Sequence, residues 1–302
     1  MHYIILLAVL FLFTTIRAEG DVPAEHLLAA LDYGTQATQK LFMIDEGKQP
    51  SVEILSLQSN KKAIFWNADM DIDCDGEPDD KCNENTDPWF YPSTSAGDGI
   101  YASETPFYVV PVTFKNYVSG VNIGTVGAVI YKGKVVYGPL LDKCGMDDVT
   151  GEASYAMAEA LGINPDPKYG GTSGPVIYIA FVGKDAELDE DEYTDHEKAV
   201  AIGNARAKEL VEFFNVTDIN AFKQSDKPVH DPDNGYAISV PEIKITTAGH
   251  HSITVTNFRG QQIMTVHGEG AHSYTLPEFS AGLYIISIVT PTASVVERFI
   301  LY

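Results

Sequence analysis

The chain has 302 residues, and its 42 acidic against 20 basic side chains give a formal net charge of −22. A chain of this length can bury a sizeable core, and one large plus one small domain is favoured over a single domain. So acidic a surface disfavours nucleic acids and anionic membranes as partners, and it raises the local concentration of cationic ligands.

The N-terminal segment, residues 1–18, is an apolar run that ends in the small residue Ala18. This pattern predicts a secretory signal peptide cleaved after Ala18, with a membrane anchor as the alternative. No later segment approaches the roughly 20 consecutive apolar residues that span a bilayer. We therefore expect a secreted or cell-surface protein whose first domain covers residues 19–222.

The first half of that domain is dominated by strand patterns. Residues 25–40 have moderate helical periodicity and predict a helix, whereas residues 51–138 consist of strand-like runs separated by turns. Two β-branched runs flank Lys132, Gly133 and Lys134, and this arrangement predicts a hairpin.

The second half of the domain mixes helix and strand. The Ala-rich residues 152–162 predict a helix that begins at Glu152 and stops at Gly162. Residues 176–183 predict a buried strand, and residues 196–214 predict an amphipathic helix. The fold class we expect is mainly β with flanking helices (α+β).

The C-terminal part has a different pattern. Residues 223–236 are rich in Pro, Asp and Gly and predict a linker. Residues 237–302 follow as short alternating strands with turns, which predict a small, separately folded β-sandwich.

An unusual acidic segment lies near the middle of the first domain. Asp69, Asp71, Asp73 and Asp75 stand at every second position, with apolar side chains between them. On a strand this spacing puts all four carboxylates on one face, and we call them the aspartate ladder. Four neighbouring like charges repel one another, so the ladder requires a cation, either a metal ion or a positively charged substrate.

The metal hypothesis is weak in its simplest form. Residues 71–76 match the start of an EF-hand calcium loop, but its twelfth position is Cys82 in place of Glu, and the flanks predict a strand and a loop. A looser calcium loop stays open. It would make the chain a secreted, calcium-dependent adhesion or polysaccharide-binding protein without hydrolase activity.

The substrate hypothesis is supported by nearby aromatic residues. Trp66 precedes the ladder, and Trp89, Phe90 and Tyr91 follow it. Sugar rings stack on aromatic faces and ammonium groups pair with carboxylates, so this mixture suits an aminosugar polymer. Core packing is the alternative for any one of these rings. We predict Trp89 and Tyr91, with the ladder, as substrate-binding residues.

A second acidic site follows the predicted hairpin. Asp142 ends a predicted strand and Glu152 begins the predicted helix, so both carboxyl groups can face one cleft. A glycosidase needs such a pair, one protonated to help the leaving group depart and one ionised to activate water. Glu152 in a partly apolar setting would have the raised pKa of a general acid. We expect these bond-breaking carboxylates to lie apart from the ladder.

Three cysteines in an exported chain suggest one disulfide and one remaining thiol. Cys74 and Cys82 bracket the acidic stretch and are the favoured pair. Cys144 then remains reduced, or it replaces one of the two.

Several motifs in order resemble the glycoside hydrolase family 75 chitosanases, over roughly residues 24–215. The matching segments are MDIDCDG at 70–76, CNENTDPWFYPST at 82–94, ETPFYVVP at 104–111, IGTVGAVIYKGKVVYG at 123–138 and GEASYAMAEALGINPDP at 151–167. The resemblance implies endo-hydrolysis of the β-1,4 bonds of chitosan with inversion at the anomeric carbon. It also implies a six-stranded β-barrel of the double-psi type, no cofactor and no metal.

The same resemblance implies two essential acids. Glu152, in the G-E-A-S motif, corresponds to one of them. Asp142 is our choice for the other, and Asp147 and Asp148 in the same loop remain alternatives. The partner implied is chitosan, and we expect a monomer.

The C-terminal segment resembles the type A sorting domains of the bacterial type IX secretion system. The segments that carry this resemblance are ITVTNFRGQQIM at 253–264, LPEFSAGLYIISI at 276–288 and VVERFILY at 295–302. It implies contact with outer-membrane secretion machinery. A carbohydrate-binding module is the alternative, with Tyr274, Phe279 and Tyr284 as a stacking platform, although these residues suit a core equally.

Overall fold

The computed structural model describes most of the chain in ten stretches. They are residues 21–31, 33–57, 62–145, 148–214, 229–231, 236–239, 242–257, 262–276, 282–291 and 294–301. The predicted signal peptide, Asp147, Phe279 and much of the predicted linker lie outside them. No helix in these stretches is both long and apolar enough to cross a membrane.

The chain begins with one helix and a strand pair. Helix α1 (Ala24–Leu31) is followed by β1 (Thr35–Phe42) and β2 (Val52–Leu57), which pair antiparallel. The predicted helix over 25–40 is therefore wrong beyond Leu31. After the helix, Gly34 lets the chain pass close to the Phe65 ring, since a Cβ there would lie 2.4 Å from it, and the residues from Thr35 onward pair with β2.

Six strands close a β-barrel, as predicted. They are β3 (Ala63–Asp73), β4 (Tyr108–Pro111), β5 (Val126–Tyr131), β6 (Lys134–Cys144), β7 (Glu152–Ser154) and β8 (Thr172–Phe181). Their order is β3-β7-β4-β6-β5-β8, and β8 pairs back with β3. Long β3 closes the barrel because it pairs with β8 along its first part and with β7 at its end.

The predicted hairpin is confirmed as β5 and β6. Tyr131 pairs with Lys134, and the two residues between them, Lys132 and Gly133, have φ of 45° and 79°. A two-residue turn with positive φ at both positions matches the right-handed twist of the flanking strands.

The helix predicted to begin at Glu152 instead begins three residues later. Residues 152–154 form β7, and α2 (Tyr155–Leu161) follows. The Ser154 hydroxyl caps this helix by accepting from the Met157 N–H at 3.2 Å, and Gly162 ends it with φ 80°. Glu152 extends as a strand because its backbone pairs with β3 and β4, a non-local interaction that helical propensity does not reveal.

The core lies on both sides of the barrel wall. Trp66 and Tyr178 stack at 5.3 Å within one buried cluster. Helix α3 (His196–Phe213), which confirms the prediction for 196–214, belongs to another cluster together with α1. Gly203 lets α3 approach β6, since a Cβ there would lie 2.2 Å from the Tyr137 ring.

The C-terminal part contains two four-stranded antiparallel sheets. Its strands are β9 (Val229–Asp231), β10 (Tyr236–Ser239), β11 (Glu242–Ile245), β12 (His250–Asn257), β13 (Gln262–Glu269), β14 (His272–Thr275), β15 (Gly282–Val289) and β16 (Ser294–Leu301). One sheet has the order β14-β11-β10-β9 and the other β13-β12-β15-β16. Apolar residues of both sheets share one buried cluster, which includes Tyr284. Strand β9 falls inside the span predicted as linker.

Candidate active site

Three of the four ladder aspartates lie in the last part of β3, in the strand conformation that their spacing predicted. Asp69, Asp71 and Asp73 alternate along the strand with Met70, which is fully buried in the core, and with Ile72, which packs against it. Successive side chains of a strand point to opposite faces, so the carboxylates share the face away from that core. Asp75 continues the series just after the strand.

The strand register places the predicted catalytic pair, Glu152 and Asp142, level with Asp71 of the ladder across neighbouring strands. Asp71 of β3 pairs with Glu152 of β7, and Val109 of β4 pairs with both Glu152 and Asp142 of β6. Strand β4 thus separates the two carboxyl-bearing residues. Two inter-strand spacings of roughly 4.8 Å put their backbones about 10 Å apart.

The ladder and the predicted catalytic pair form a single acidic cluster. One carboxylate oxygen from each of Asp73, Asp75 and Asp142 lies within 4.8 Å of the other two. This spacing can surround one positively charged group, and no other trio of this kind occurs in the stretches described above. The expectation that the ladder lies apart from Asp142 and Glu152 is therefore wrong, because the strand order β3-β7-β4-β6 brings the ends of β3 and β6 close together.

Asp142 is held firmly through one oxygen. Its Oδ1 accepts hydrogen bonds from the Ser95 N–H at 2.8 Å, the Ser95 hydroxyl at 2.6 Å and the Lys143 N–H at 2.6 Å. Three donors on one oxygen fix the orientation of the carboxylate. Ser95 was missed by the sequence analysis, because nothing in its local pattern links it to a residue 47 positions away.

Glu152 is half-buried and has an unusual protonation behaviour. Burial raises the pKa of its carboxyl group to about 8, and the negative charges of Asp142, Asp71 and Asp75 add to the rise. A hydrogen bond with the Cys144 side chain acts in the opposite direction. The ordinary pKa of a glutamate is near 4.3, so this group keeps its proton at neutral pH.

The ladder carboxyls are perturbed in the same direction. Burial, with the charge of Asp71, raises the pKa of Asp69 to about 7. Burial also raises the pKa of Asp75 to about 7, although a hydrogen bond from the Tyr91 N–H opposes the rise. For Asp73, burial and then the charge of Glu152 raise the pKa well above its usual range. These carboxyl groups therefore keep their protons to a higher pH than ordinary aspartates do.

Gly151 is required for the close approach of β7 to the ladder. Its φ is +107°, and a Cβ there would lie 2.2 Å from Asp69 Oδ1. The Gly151 carbonyl also accepts from the Asp71 N–H at 2.7 Å. The glycine of the G-E-A-S motif therefore lets Glu152 sit beside the ladder.

The predicted aromatic residues divide between surface and core. Trp89 and Tyr91 have exposed fractions of 88% and 63%, whereas Trp66 is fully buried and Phe90 packs against a core cluster. The Tyr91 N–H donates to Asp75 Oδ1 at 2.7 Å, so this exposed segment is fastened directly to the ladder.

The cysteine prediction is confirmed. Cys74 and Cys82 form a disulfide, and Cys144 is reduced. The disulfide links the residue between Asp73 and Asp75 to the following loop, so it fixes the end of the ladder.

The alternative acids of the 142–152 loop are placed differently. Asp148 forms an ion pair with Lys40 and accepts from the Thr113 hydroxyl at 2.9 Å. The hydrogen bond with Lys40 is the main cause that lowers the pKa of Asp148. Asp147 lies outside the described residues. The Asp148 carboxylate is thus bound by Lys40 and Thr113.

An open cavity of about 610 Å³ lies next to the segment that holds Asp142. Its lining begins one residue after Ser95 and consists of Ala96, Gly97, Asp98, Gly99, Ile100, Glu190, Asp191, Tyr193 and Thr194. Three acidic side chains and one tyrosine, with no basic residue, make this lining suitable for a cationic, ring-shaped ligand.

Comparison with known proteins links this region to chitosan-degrading enzymes. A family model described as fungal chitosanase of glycosyl hydrolase group 75 matches residues 70–211. Endo-chitosanase C from Aspergillus oryzae is 39% identical over 134 residues, which cover 43% of this chain and 34% of that protein. Endo-chitosanase B from the same organism is 33% identical over 135 residues, covering 40% of this chain and 56% of that protein.

The chain therefore spans only part of each relative, about a third of the first and little more than half of the second. Among solved structures, a β-glucuronidase from Ruminococcus gnavus matches at 8% identity and a TM-score of 0.14, covering 78% of this chain and 35% of that chain. A score so low carries no argument. The sequence matches support a glycoside hydrolase of the group 75 chitosanase type for the part of the chain that carries the acidic cluster.

Proposed function

We propose that the protein is a secreted endo-chitosanase that hydrolyses the β-1,4 bonds of chitosan with inversion. The observation that carries this proposal is the placement of Glu152 and Asp142 on β7 and β6, on either side of β4, within one acidic cluster. The similarity of residues 70–211 to group 75 chitosanases supports the substrate class.

Glu152 is the general acid in this mechanism. With a pKa of about 8 its carboxyl group is protonated at and below neutral pH, so it can donate a proton to the glycosidic oxygen as the bond breaks. The donated proton leaves Glu152 as a carboxylate, which must be reprotonated before the next cycle.

Asp142 is the general base. Its Oδ1 is occupied by three donors, which leaves Oδ2 to take a proton from the attacking water. An inverting glycosidase needs roughly 6.5–9.5 Å between its two carboxyl groups so that this water fits between base and sugar. Backbones about 10 Å apart, with side chains on one face, are compatible with that range.

The ladder, Trp89 and Tyr91 bind the polymer. Deacetylated sugar units carry ammonium groups, which neutralise the carboxylates, while exposed rings provide stacking surfaces. N-acetylated chitin offers no such charge, and the crowded carboxylates would then stay unpaired. The acidic cavity, whose lining begins next to Ser95, would give the polymer a further acidic surface.

The remaining parts of the chain are assigned to export. In this proposal residues 1–18 are a signal peptide and residues 237–302 a β-sandwich sorting domain for outer-membrane secretion machinery, joined to the catalytic domain (residues 19–222) by the linker at 223–236. Two four-stranded sheets with a shared apolar cluster support a separately folded unit. The catalytic barrel would be of the double-psi type, and the protein a monomer that needs no cofactor.

Glu152→Gln tests the assignment directly. The variant keeps the shape of the side chain but cannot act as an acid, so release of reducing ends from chitosan should fall by roughly a thousandfold or more while polymer binding persists. Glu159→Gln is the matched control, because Glu159 is an exposed residue of α2.

Product stereochemistry, followed by NMR of the anomeric protons, should show inversion. Full activity of Glu152→Gln, or retained stereochemistry, would contradict the mechanism. A large rise in melting temperature with calcium, together with no hydrolysis of any aminoglycan, would favour the calcium-dependent adhesion or binding protein instead.

A further inference from the structure

Trp89 and Tyr169 are the two most exposed large apolar side chains in the part of the chain that the structure describes. Their exposed fractions are 88% and 84%. Trp89 is already a residue of the proposed substrate site, whereas Tyr169 has no part in the proposed mechanism. An exposed ring is stabilised little by packing, so its position relative to the acidic cluster decides what it can bind.

Tyr169 lies in the loop that leads into β8, and this loop passes beside the ladder strand. Two residues further on, a Cβ at Gly171 would lie 2.4 Å from the Met70 carbonyl oxygen and 3.7 Å from Asp71 Cα. Two residues of chain span at most about 7 Å, so the Tyr169 backbone lies within roughly 12 Å of the Asp71 backbone. The Tyr169 loop is therefore next to the carboxylates, on their β8 side.

The same loop is joined to the segment that carries Trp89. Lys168 Nζ donates to the Asn85 carbonyl at 2.8 Å, and the Trp89 N–H donates to Asp87 Oδ1 at 2.8 Å. Tyr169 directly follows Lys168 in the chain. The two exposed rings thus belong to two linked loops beside the ladder.

Hydrogen bonds within the Tyr169 loop fix its shape before any ligand binds. Asp166 Oδ1 accepts from the Lys168 N–H at 2.9 Å and from the Tyr169 N–H at 2.8 Å. The Gly171 N–H closes the loop by donating to the Asn164 carbonyl at 2.8 Å. Because the backbone is already ordered, a ligand that contacts the ring has little loop-ordering entropy to overcome.

We propose that Tyr169 is a further substrate-binding residue, which stacks on a sugar ring of the polymer on the β8 side of Glu152. The proposal rests on the proposed function, because it names a contact with the same substrate. Strand β3 lies between β8 and β7, so Tyr169 contacts a sugar away from the bond that is cleaved. Aromatic rings beside a row of carboxylates suit a polymer of sugar rings that carry ammonium groups.

The competing explanation is an exposed loop residue without a function, since single apolar side chains on a surface are normal. Substitutions separate the two. A stacking residue needs the aromatic face and not the hydroxyl group, so Tyr169→Phe should preserve its contribution and Tyr169→Ala should remove it. A residue without a function tolerates both changes equally.

Binding of a soluble chitosan oligomer to the full chain tests the contact without turnover, when Glu152→Gln prevents cleavage. Titration calorimetry should give a Kd roughly three- to tenfold higher when Tyr169→Ala is added, and a Kd within about twofold of the parent with Tyr169→Phe. The melting temperature should stay the same, because the ring is exposed. An unchanged Kd with Ala, or an equal loss with Phe, would overturn the proposal.

Ionic strength separates stacking from charge pairing. At about 1 M salt the Debye length falls to roughly 3 Å, so the effect of Asp71→Asn on Kd should shrink. The ratio of Kd values between Tyr169→Ala and its parent should persist, since stacking involves no net charge. A ratio that disappeared with added salt would contradict a stacking role.

Steady-state kinetics on chitosan provide the second measurement. With Glu152 intact, Tyr169→Ala should raise KM several-fold and leave kcat within about twofold, because the contact is made equally before and during bond cleavage. A fall in kcat at unchanged KM would overturn the proposal. If wild-type protein bound the oligomer but released no reducing ends, the proposed function would fail while the titration still decided the role of Tyr169. Absence of oligomer binding by the parent would overturn both.

Discussion

At the scale of single residues, the protonation of Glu152 is set by its neighbours as much as by its burial. Asp71 pairs with Glu152 across β3 and β7, and its charge contributes to the raised pKa. Asp71 is itself exposed, so it can be changed with little cost to packing. This makes it the most convenient position from which to tune the acid.

Asp71→Asn should lower the pKa of Glu152, because a negative charge that favours the neutral acid is removed. The alkaline limb of kcat/KM, where Glu152 loses its proton, should move to lower pH by a few tenths of a unit. The pH dependence of chitosan hydrolysis measures this shift, with Glu159→Gln as the control. A limb that stays in place, or moves upward, would show that Asp71 does not act on the acid.

The local geometry of the ladder and the disulfide was the part of this region that the sequence predicted best. The period-two spacing placed Asp69 to Asp75 on one face of a strand, and short sequence separation identified Cys74 and Cys82 as the disulfide. Ser95 had no such signal, because its hydrogen bonds to Asp142 arise from a loop that approaches β6 only in the folded chain.

At the scale of elements, the short strand β7 is the part that assembles the site. It brings Glu152 between β3 and β4, and it does so only because Gly151 passes close to Asp69. Local propensity favours a helix from Glu152 onward, and non-local pairing overrides it for three residues. The Lys132–Gly133 hairpin was predicted correctly because its turn chemistry is entirely local.

Gly151→Ala should disturb this element. The added Cβ would lie 2.2 Å from Asp69 Oδ1 at a φ of +107°, a conformation that residues with a side chain rarely adopt. We expect a loss of roughly 1–3 kcal/mol of unfolding free energy and a clear fall in kcat as Glu152 is displaced. Urea unfolding and chitosan hydrolysis measure the two effects.

Gly145→Ala provides the matched control, since no atom lies within 4 Å of a Cβ at that position. Wild-type stability and activity in Gly151→Ala would mean that β7 does not need the close approach seen here.

At the scale of the whole molecule, several of the 42 acidic side chains change their protonation on folding. Asp69, Asp75 and Glu152 have folded-state pKa values of about 7, 7 and 8, all above their ordinary values. Between about pH 4 and pH 8 the folded protein therefore binds more protons than the unfolded chain. The stability that these three groups contribute is fully present below their ordinary, unfolded-state pKa values. It is lost as pH rises through their folded-state pKa values.

The melting temperature of the full chain should accordingly fall as pH rises from about 5 to about 8. Asp69→Asn, which removes one buried carboxyl group, should raise the melting temperature by roughly 2–4 °C near pH 8 and change it little near pH 4. Differential scanning fluorimetry across this range is sufficient. A variant that gained equally at both pH values would point to packing as the cause.

The overall architecture was only partly accessible from sequence. The resemblance to group 75 chitosanases implied a six-stranded barrel, and six strands do close. The convergence of the ladder with Asp142 was not foreseen, because it depends on the order β3-β7-β4-β6, in which neighbours in space are far apart in sequence.

The strand that closes the barrel is also the strand that carries the ladder, since β3 pairs with β8 along its first part and with β7 at its end. The repulsion among the crowded carboxylates therefore acts on the strand that closes the barrel. Any polycation that fills the cluster relieves this repulsion and favours the folded state by mass action. In the proposed function, chitosan would therefore be a stabilising ligand of the fold as well as a substrate.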